Sequence, residues 1–416
     1  MIKVRELDNG AKLVYEVLPH VQSVATGIWV KTGAVNEVPE YAGISHFVEH
    51  MMFKGTSSHN AKELAEAVDK IGGQINAFTG KEATCYYVKT ISQNLYKGID
   101  VIVEMLEDSV FATAEMDKER KVVCEEIKMT MDSPDDLAHD TITSLVLSTN
   151  PLGNSIIGTP ETLERIDHDI MKKYVEEHYT TDSIVISMAG NFDEDKVIAY
   201  FDKKFKGLGK KQKEAPDFTK PYVPQYKSIS KDIEQTHMCF AVPGVNLLDP
   251  DIYAVNILTN TLGGSMSSRL FQHIREELGL AYSVFALSQM FSTGGYFDIY
   301  AGIAHDKVER TTKAIKDELL KLQKMGISKE EMESSRAQMM SQYIFGQENV
   351  TGRMFRNGKN LAITNRVMEA EEVIDNFNKV TIEDIERVSE KIANIENYCG
   401  VVVSNKEVDL ESIIKN

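Results

Sequence analysis

The chain has 416 residues, 42% of them hydrophobic and 26% charged, and carries a formal net charge of −17. That composition belongs to a globular protein and excludes a fibrous or disordered one, while the length exceeds what one hydrophobic core supports and points to two domains. The acidic balance argues against nucleic acid as a partner and favours a basic ligand or substrate.

The opening "MIKVRELDNGAKLVYEV" alternates like a strand and does not read as a signal or transit segment. No stretch approaches the ~18 apolar residues of a membrane helix, so a cytoplasmic chain without membrane insertion is expected. The four cysteines, Cys85, Cys124, Cys239 and Cys399, are scattered and form no Cys-x-x-Cys pair. Neither a disulfide framework nor a thiolate zinc cage is indicated, and reduced, mostly buried thiols are expected.

In chain order, a strand region "VATGIWVKTGA" precedes a helix around "YAGISHFVEHMMF". The run "INAFTGKEATCYYVKT" then reads as strands, with Gly72 and Gly73 making the turn before it. Long helices follow in "NLYKGIDVIVEMLEDSV" and "DKERKVVCEEIKMTM", then a helix start in "IGTPETLERI", with Thr159 as cap and Pro160 at the first helical position. This half closes on the apolar strand "SIVISMAG". The lone Trp29 reads as core packing, and the pair His168 and Asp169 as a helix entry without a companion cluster.

The segment "KKQKEAPDFTKPYVPQYK", with Pro216, Pro221 and Pro224 among lysines, reads as an interdomain linker. The expected division is 1–212, a linker over 213–226, and 227–416. The second half repeats the plan of the first: a strand "THMCFAVPG", a helix "YAVNILTNTLGG", strands in "AYSVFALSQMFSTGGYFDIYAGI", long helices, and a closing strand "YCGVVVS". The order predicts an α+β protein of two homologous domains, each a largely antiparallel sheet with helices packed on one face. Duplication explains it, and only the first copy carries a histidine pair.

That pair lies in "GISHFVEHMMFKGT". His46 and His50 are four apart and share a helix face, one turn above the other, which is how two imidazoles reach one ion. Glu49 sits beside them, close enough to bind or deprotonate a metal-bound water. A catalytic zinc site takes three protein ligands and leaves a fourth position open, so a third ligand is required. The helix "EMDKERKVVCEEIKM" offers one: Glu126 shares a stripe with Glu119, Val122, Val123 and Thr130, whereas Glu125 shares one with Lys118, Lys121 and Lys128. Two core-facing carboxylates seven apart suggest a ligand with an assisting group; a salt-bridged helix accounts for them equally well.

The inverted motif His46-Phe47-Val48-Glu49-His50, the segment "ERKVVCEE" and the duplicated plan resemble the pitrilysin (inverzincin) family of zinc metallopeptidases over essentially the whole chain. Within that family the chain is similar to bacterial homologues of the mitochondrial processing peptidase β subunit. The resemblance implies Zn2+ held by His46, His50 and Glu126, Glu49 as general base, and Glu119 as a supporting carboxylate. It further implies that the backbone around Asn76, Ala77 and Phe78, in "GGQINAFTGKEATCYYV", pairs with an extended peptide. In "HIREELGLAYSV", Arg275 and Tyr282 have the spacing of the residues that complete the family's active site from the second domain.

The function implied is a zinc-dependent endopeptidase acting on peptides or precursor segments, with basic residues near the cleaved bond, as a homodimer. One alternative is a catalytic subunit active only as a heterodimer with a noncatalytic homologue. Another is a noncatalytic structural or peptide-binding relative, which the intact motif disfavours.

Overall fold

The structure, a computed structural model, describes residues 1–214 and 220–415; Pro216 and the middle of the expected linker lie outside them. The described chain forms two compact units. The first comprises Met1–Ile127, the stretch from Asn154 to the linker, and Ile344–Glu369; the second comprises Lys128–Gly153, the chain from the linker to Tyr343, and the chain from Ala370 to the end of the described residues. A division at the linker therefore separates the two sheets but not the helices, because each unit includes a helical segment from the opposite half of the chain.

The first unit is built on strands β1 (Lys3–Glu6), β2 (Lys12–Val17), β3 (Ser23–Val30), β4 (Gln74–Thr79), β5 (Thr84–Ile91) and β6 (Ile184–Gly190), in the order β1-β2-β6-β3-β5-β4. The second holds β7 (Tyr226–Ser230), β8 (Thr236–Pro243), β9 (Ala281–Met290), β10 (Gly295–Ile303) and β11 (Cys399–Ser404), in the order β7-β11-β8-β10-β9. Setting β2, β6, β3, β5 and β4 against β7, β11, β8, β10 and β9 makes the two sheets identical in topology. Each has one parallel pair, β2 with β6 and β7 with β11, and is otherwise antiparallel. The expected α+β duplication is what the structure shows.

Alternation along the strands explains how the first sheet is covered. Leu13, Tyr15, Ile28, Ile184 and Ile186 point to the main helical layer, where Phe47, Val48, Met51, Ile99, Ile102 and Val123 complete the core. Their neighbours Val14, Trp29 and Val185 point the other way, into a second small core with Leu361. A single helix, Val350–Thr364, supplies that cover. It comes from the second half of the chain; the helix Pro134–Val146, from the first half, lies in the same way on β8 and β11 of the second unit. Both faces of the first sheet are thus apolar, which is why β3 and β6 read as continuous hydrophobic runs.

Contact between the Val350–Thr364 helix and the sheet depends on Gly358, where a Cβ would stand 2.0 Å from Trp29 Nε1 and 2.8 Å from Ser187 Cβ. Gly358→Ala should therefore overpack this face and cost about 1–3 kcal/mol. Trp29 is the chain's only tryptophan, so its fluorescence during urea unfolding checks this directly; an unshifted midpoint would show that the helix tolerates displacement.

Candidate metal centre

The helix Ile44–Met52 starts at Gly43, whose φ of +91° is left-handed and whose added Cβ would meet the Ile157 carbonyl oxygen at 2.7 Å. Its first amides are satisfied from a distance: Gly43 N–H donates to Glu37 Oε2 at 2.7 Å and Ser45 N–H to Glu37 Oε1 at 2.9 Å. Ser45 Oγ in turn lies 2.7 Å from the Tyr174 hydroxyl, which is 3.1 Å from Thr32 Oγ1. Glu37 is fully buried, and that burial pushes its carboxyl up to about 7. Ile44, Phe47, Val48, Met51 and Met52 bury the helix's apolar face, which leaves His46, Glu49 and His50 on the opposite, half-open side.

The second contributing helix is Thr113–Asp132, whose buried line runs through Met116, Glu119, Val123 and Ile127. Val122, expected on the inward stripe with Glu126, is 48% exposed. It stands one residue, about 100° of rotation, from Val123, and the i, i+3/i+4 line of burial passes it by. Arg120 docks this helix: its guanidinium lies 5.6 Å from the Phe47 ring centre, with Nε donating to Leu163 O and Nη2 to Ile166 O at 3.1 and 2.7 Å.

Between the two helices three donor atoms converge. His46 Nε2 and His50 Nε2 are 3.2 Å apart, and Glu126 Oε2 lies 3.7 and 3.5 Å from them. His50 Nδ1 is 2.9 Å from Glu119 Oε1, and Lys54 Nζ is 2.6 Å from Glu119 Oε2. With Nδ1–H donated to this carboxylate, His50 Nε2 carries a lone pair facing His46. Burial, followed by the neighbouring His50, pushes the His46 imidazole down to about 4, so that ring is neutral near pH 7. Glu126 Oε2 is a buried oxygen without a hydrogen-bond partner. Zinc bonds of about 2.0–2.2 Å give tetrahedral edges of about 3.3–3.6 Å, close to the three separations here, so these residues fit a divalent metal.

Glu49 extends from the same helix, and its Oε2 accepts a 2.6 Å hydrogen bond from Thr79 Oγ1. Burial pushes the Glu49 carboxyl up from its ordinary value. Thr79 ends β4, the outermost strand of the first sheet among the described residues. Along β4, Ile75, Ala77 and Thr79 are half-buried while Asn76 and Phe78 are exposed. The Ala77 N–H donates to Asn76 Oδ1 at 2.8 Å, and the Phe78 ring lies edge-on to Trp29 and Phe355 with centres 5.6 Å away in both cases.

Arg275 and Tyr282 belong to the second unit. Arg275 occupies the π-helical turn Phe271–Glu277, its guanidinium 4.8 Å from the Phe271 ring centre, and Tyr282 stands on β9 with 67% exposure. His168 Nδ1 lies 2.9 Å from Asp169 Oδ1 on an exposed helix start. Sequence reasoning missed Glu37, Lys54, Thr79 and Tyr174. Lys54 follows His50 by four positions, a spacing that signals contact; the others carry no local signal.

Residues 12–160 match the family model described as insulinase (peptidase family M16), and residues 165–339 the one described as peptidase M16 inactive domain. Over 97% of its length the chain is 40% identical to YmxG, an uncharacterized zinc protease of Bacillus subtilis (strain 168), of which it covers 98%. The chain belongs to peptidase family M16. An uncharacterized zinc protease of Rickettsia felis is 37% identical over 94% of both chains. A protease from Helicobacter pylori shares the M16 fold, with a TM-score of 0.90 at 22% identity over 97% of this chain and 99% of that one. The second M16 model begins ahead of β6, so it takes in part of the first unit. No described helix is long and apolar enough to cross a membrane.

Glu37 is one group here whose titration bears on stability. Its folded value of about 7 lies above the unfolded 4.5, so the stability it contributes is complete below pH 4.5 and is lost as pH rises through 7. In metal-free protein, Glu37→Gln should therefore flatten the stability profile over that window, the difference from wild type changing by about 3 kcal/mol. Urea midpoints measured across the window test this; parallel profiles for the two proteins would reject it.

Proposed function

We propose that the chain is a zinc-dependent endopeptidase that hydrolyses peptides bound as an added strand along β4. The observation that carries the reading is the convergence of His46 Nε2, His50 Nε2 and Glu126 Oε2 beside Glu49, on a helix whose polar face adjoins a free sheet edge. Being named zinc proteases, the relatives supply the identity of the metal. When bound, zinc supplies a Lewis acid toward a peptide carbonyl and lowers the pKa of water.

The protein's own residues do the rest. Thr79 holds Glu49 by Oε2, which leaves Oε1 to accept a proton from the attacking water and then to pass it to the departing amine. The raised carboxyl makes Glu49 a stronger base than a solvated glutamate. Glu119 keeps the His50 ring in the tautomer that presents Nε2, and Lys54 pairs with the other Glu119 oxygen. A peptide strand on β4 takes up the free backbone edge around Asn76, Ala77 and Phe78, displacing the Asn76 side chain from the Ala77 amide. In this reading Arg275 and Tyr282 serve the scissile carbonyl, Tyr282 as hydrogen-bond donor. A chain with net charge −17 favours peptides with basic residues near the cleaved bond. All these groups lie on one polypeptide, which supports activity without a separate noncatalytic partner.

The purified chain should cleave a basic fluorogenic peptide in a zinc-dependent manner. Glu49→Gln should lower kcat at least about 100-fold with zinc content unchanged, whereas His50→Ala should lose the metal itself. Substantial turnover by metal-replete Glu49→Gln protein would sink the assignment of the base. A separate check concerns Glu119→Gln, which should weaken zinc binding about 10–100-fold in a chelator competition. Undiminished affinity would remove Glu119 from its orienting role.

A further inference from the structure

The second unit lacks a counterpart of the histidine pair, yet it contains a separate group of metal-ligating atoms. His139 extends from the helix Pro134–Val146, Cys239 stands on β8, and Asp298 on β10. In the register of β8 and β10, Cys239 pairs with Tyr300 and Ala241 with Asp298, so Cys239 and Asp298 are diagonal neighbours on one face of the sheet. The helix laid over that face brings His139 down to them. His139 Nδ1 lies 3.5 Å from Asp298 Oδ2 and 3.9 Å from Cys239 Sγ, and the three donor atoms all fall within 4.8 Å of one another.

Asp298 is completely buried, and neither of its carboxylate oxygens has a hydrogen-bond partner. A buried carboxylate left in that state is costly. His139 does not satisfy it: 3.5 Å is an ion-pair approach longer than a hydrogen bond, and one ring nitrogen faces both the carboxylate and the thiol. Cys239 is also buried and unbridged. Bonds of about 2.1 Å to nitrogen or oxygen and about 2.3 Å to sulfur imply tetrahedral edges of about 3.4 and about 3.6 Å. The observed 3.5 and 3.9 Å are slightly wider, as for donors that close by a few tenths of an ångström around an ion. The imidazole is already oriented, stacked on Tyr300 at 5.0 Å between ring centres, and the Tyr300 hydroxyl is 2.8 Å from His237 Nδ1.

We propose that His139, Cys239 and Asp298 form a second metal site, taking zinc or a similar divalent transition ion. Imidazole, thiolate and carboxylate together suit such an ion and disfavour magnesium or calcium. Binding requires Cys239 to give up its thiol proton to solvent, with the carboxylate and imidazole as the other two ligands. The His139 side chain keeps 32% of its exposure, so the site has a way in from solvent. Its structural consequence is a tie between β8, β10 and the helix contributed by the other half of the chain.

The test uses the full chain carrying His50→Ala, stripped of metal and titrated with Co2+. The expected result is a saturable thiolate-to-cobalt charge-transfer band at one equivalent, lost in the further variants Cys239→Ser and Asp298→Asn, and a rise in Tm on adding cobalt that these variants also lose. Circular dichroism establishes that each variant is folded. No band in the folded His50→Ala protein, or a band that persists in Cys239→Ser, would overturn the proposal. Because the deciding variants differ only in the second unit, the outcome does not depend on the peptidase reading of the first.

Discussion

The hydrogen bond between Glu119 and His50 is the constraint on which the metal centre depends. Glu119 is almost fully buried, and a buried carboxylate must find donors. It finds two, the His50 ring and the Lys54 ammonium, both contributed by the histidine helix and the turn after it. Satisfying Glu119 therefore locks the carboxylate helix against the histidine helix in one register. Glu126, seven residues on and so on nearly the same face, is brought to the two Nε2 atoms. The same bond chooses the tautomer in which His50 offers a lone pair. One interaction thus fixes the register, the orientation and the tautomer.

The other end of the histidine helix is held as firmly, by Glu37 on its first amides and by the chain of hydroxyls from Ser45 through Tyr174 to Thr32. Burial acts on two groups of this site, His46 and Glu49, in the directions that metal-assisted hydrolysis would need. It disfavours the cationic imidazole, which lowers His46 and leaves its nitrogen free to ligate. It disfavours the carboxylate, which raises Glu49 and makes it a better proton acceptor. The proposed ligands His46 and His50 and the proposed base Glu49 come from one helix, so their separation is set by helical geometry and does not rely on loop conformation.

The duplicated sheets show how a fold can be kept while its chemistry diverges. Strand order and the single parallel pair are the same in both. In the first unit the polar residues gather on the helical layer beside the end strand β4. In the second they lie under the single helix that covers the opposite kind of face, where His139 meets Cys239 and Asp298. Covering both sheet faces removes water from each, so any polar cluster placed there must be satisfied internally or by an ion.

Much of this was legible in the sequence. Periodicity located the strands and the long helices, the repeat of that order revealed two copies, and His46, Glu49 and His50 on one turn and a half announced a metal. Those features are local: helix and strand periods, and side chains a few residues apart. Glu126 and Glu119 were legible as a pair with two readings, and it is the convergence of Glu126 on the histidine nitrogens that the folded chain adds. The exposure of Val122, the capping by Glu37, the grip of Thr79 on Glu49 and the exchange of covering helices between the two halves were not legible. Each depends on contacts between residues dozens or hundreds of positions apart, as in the meeting of His139, Cys239 and Asp298. The chain's own pattern determined which elements form and which side chains are chemically able; only the packing of those elements decided which of the able side chains meet, because proximity across the chain is set by burial and register and leaves no local period to read.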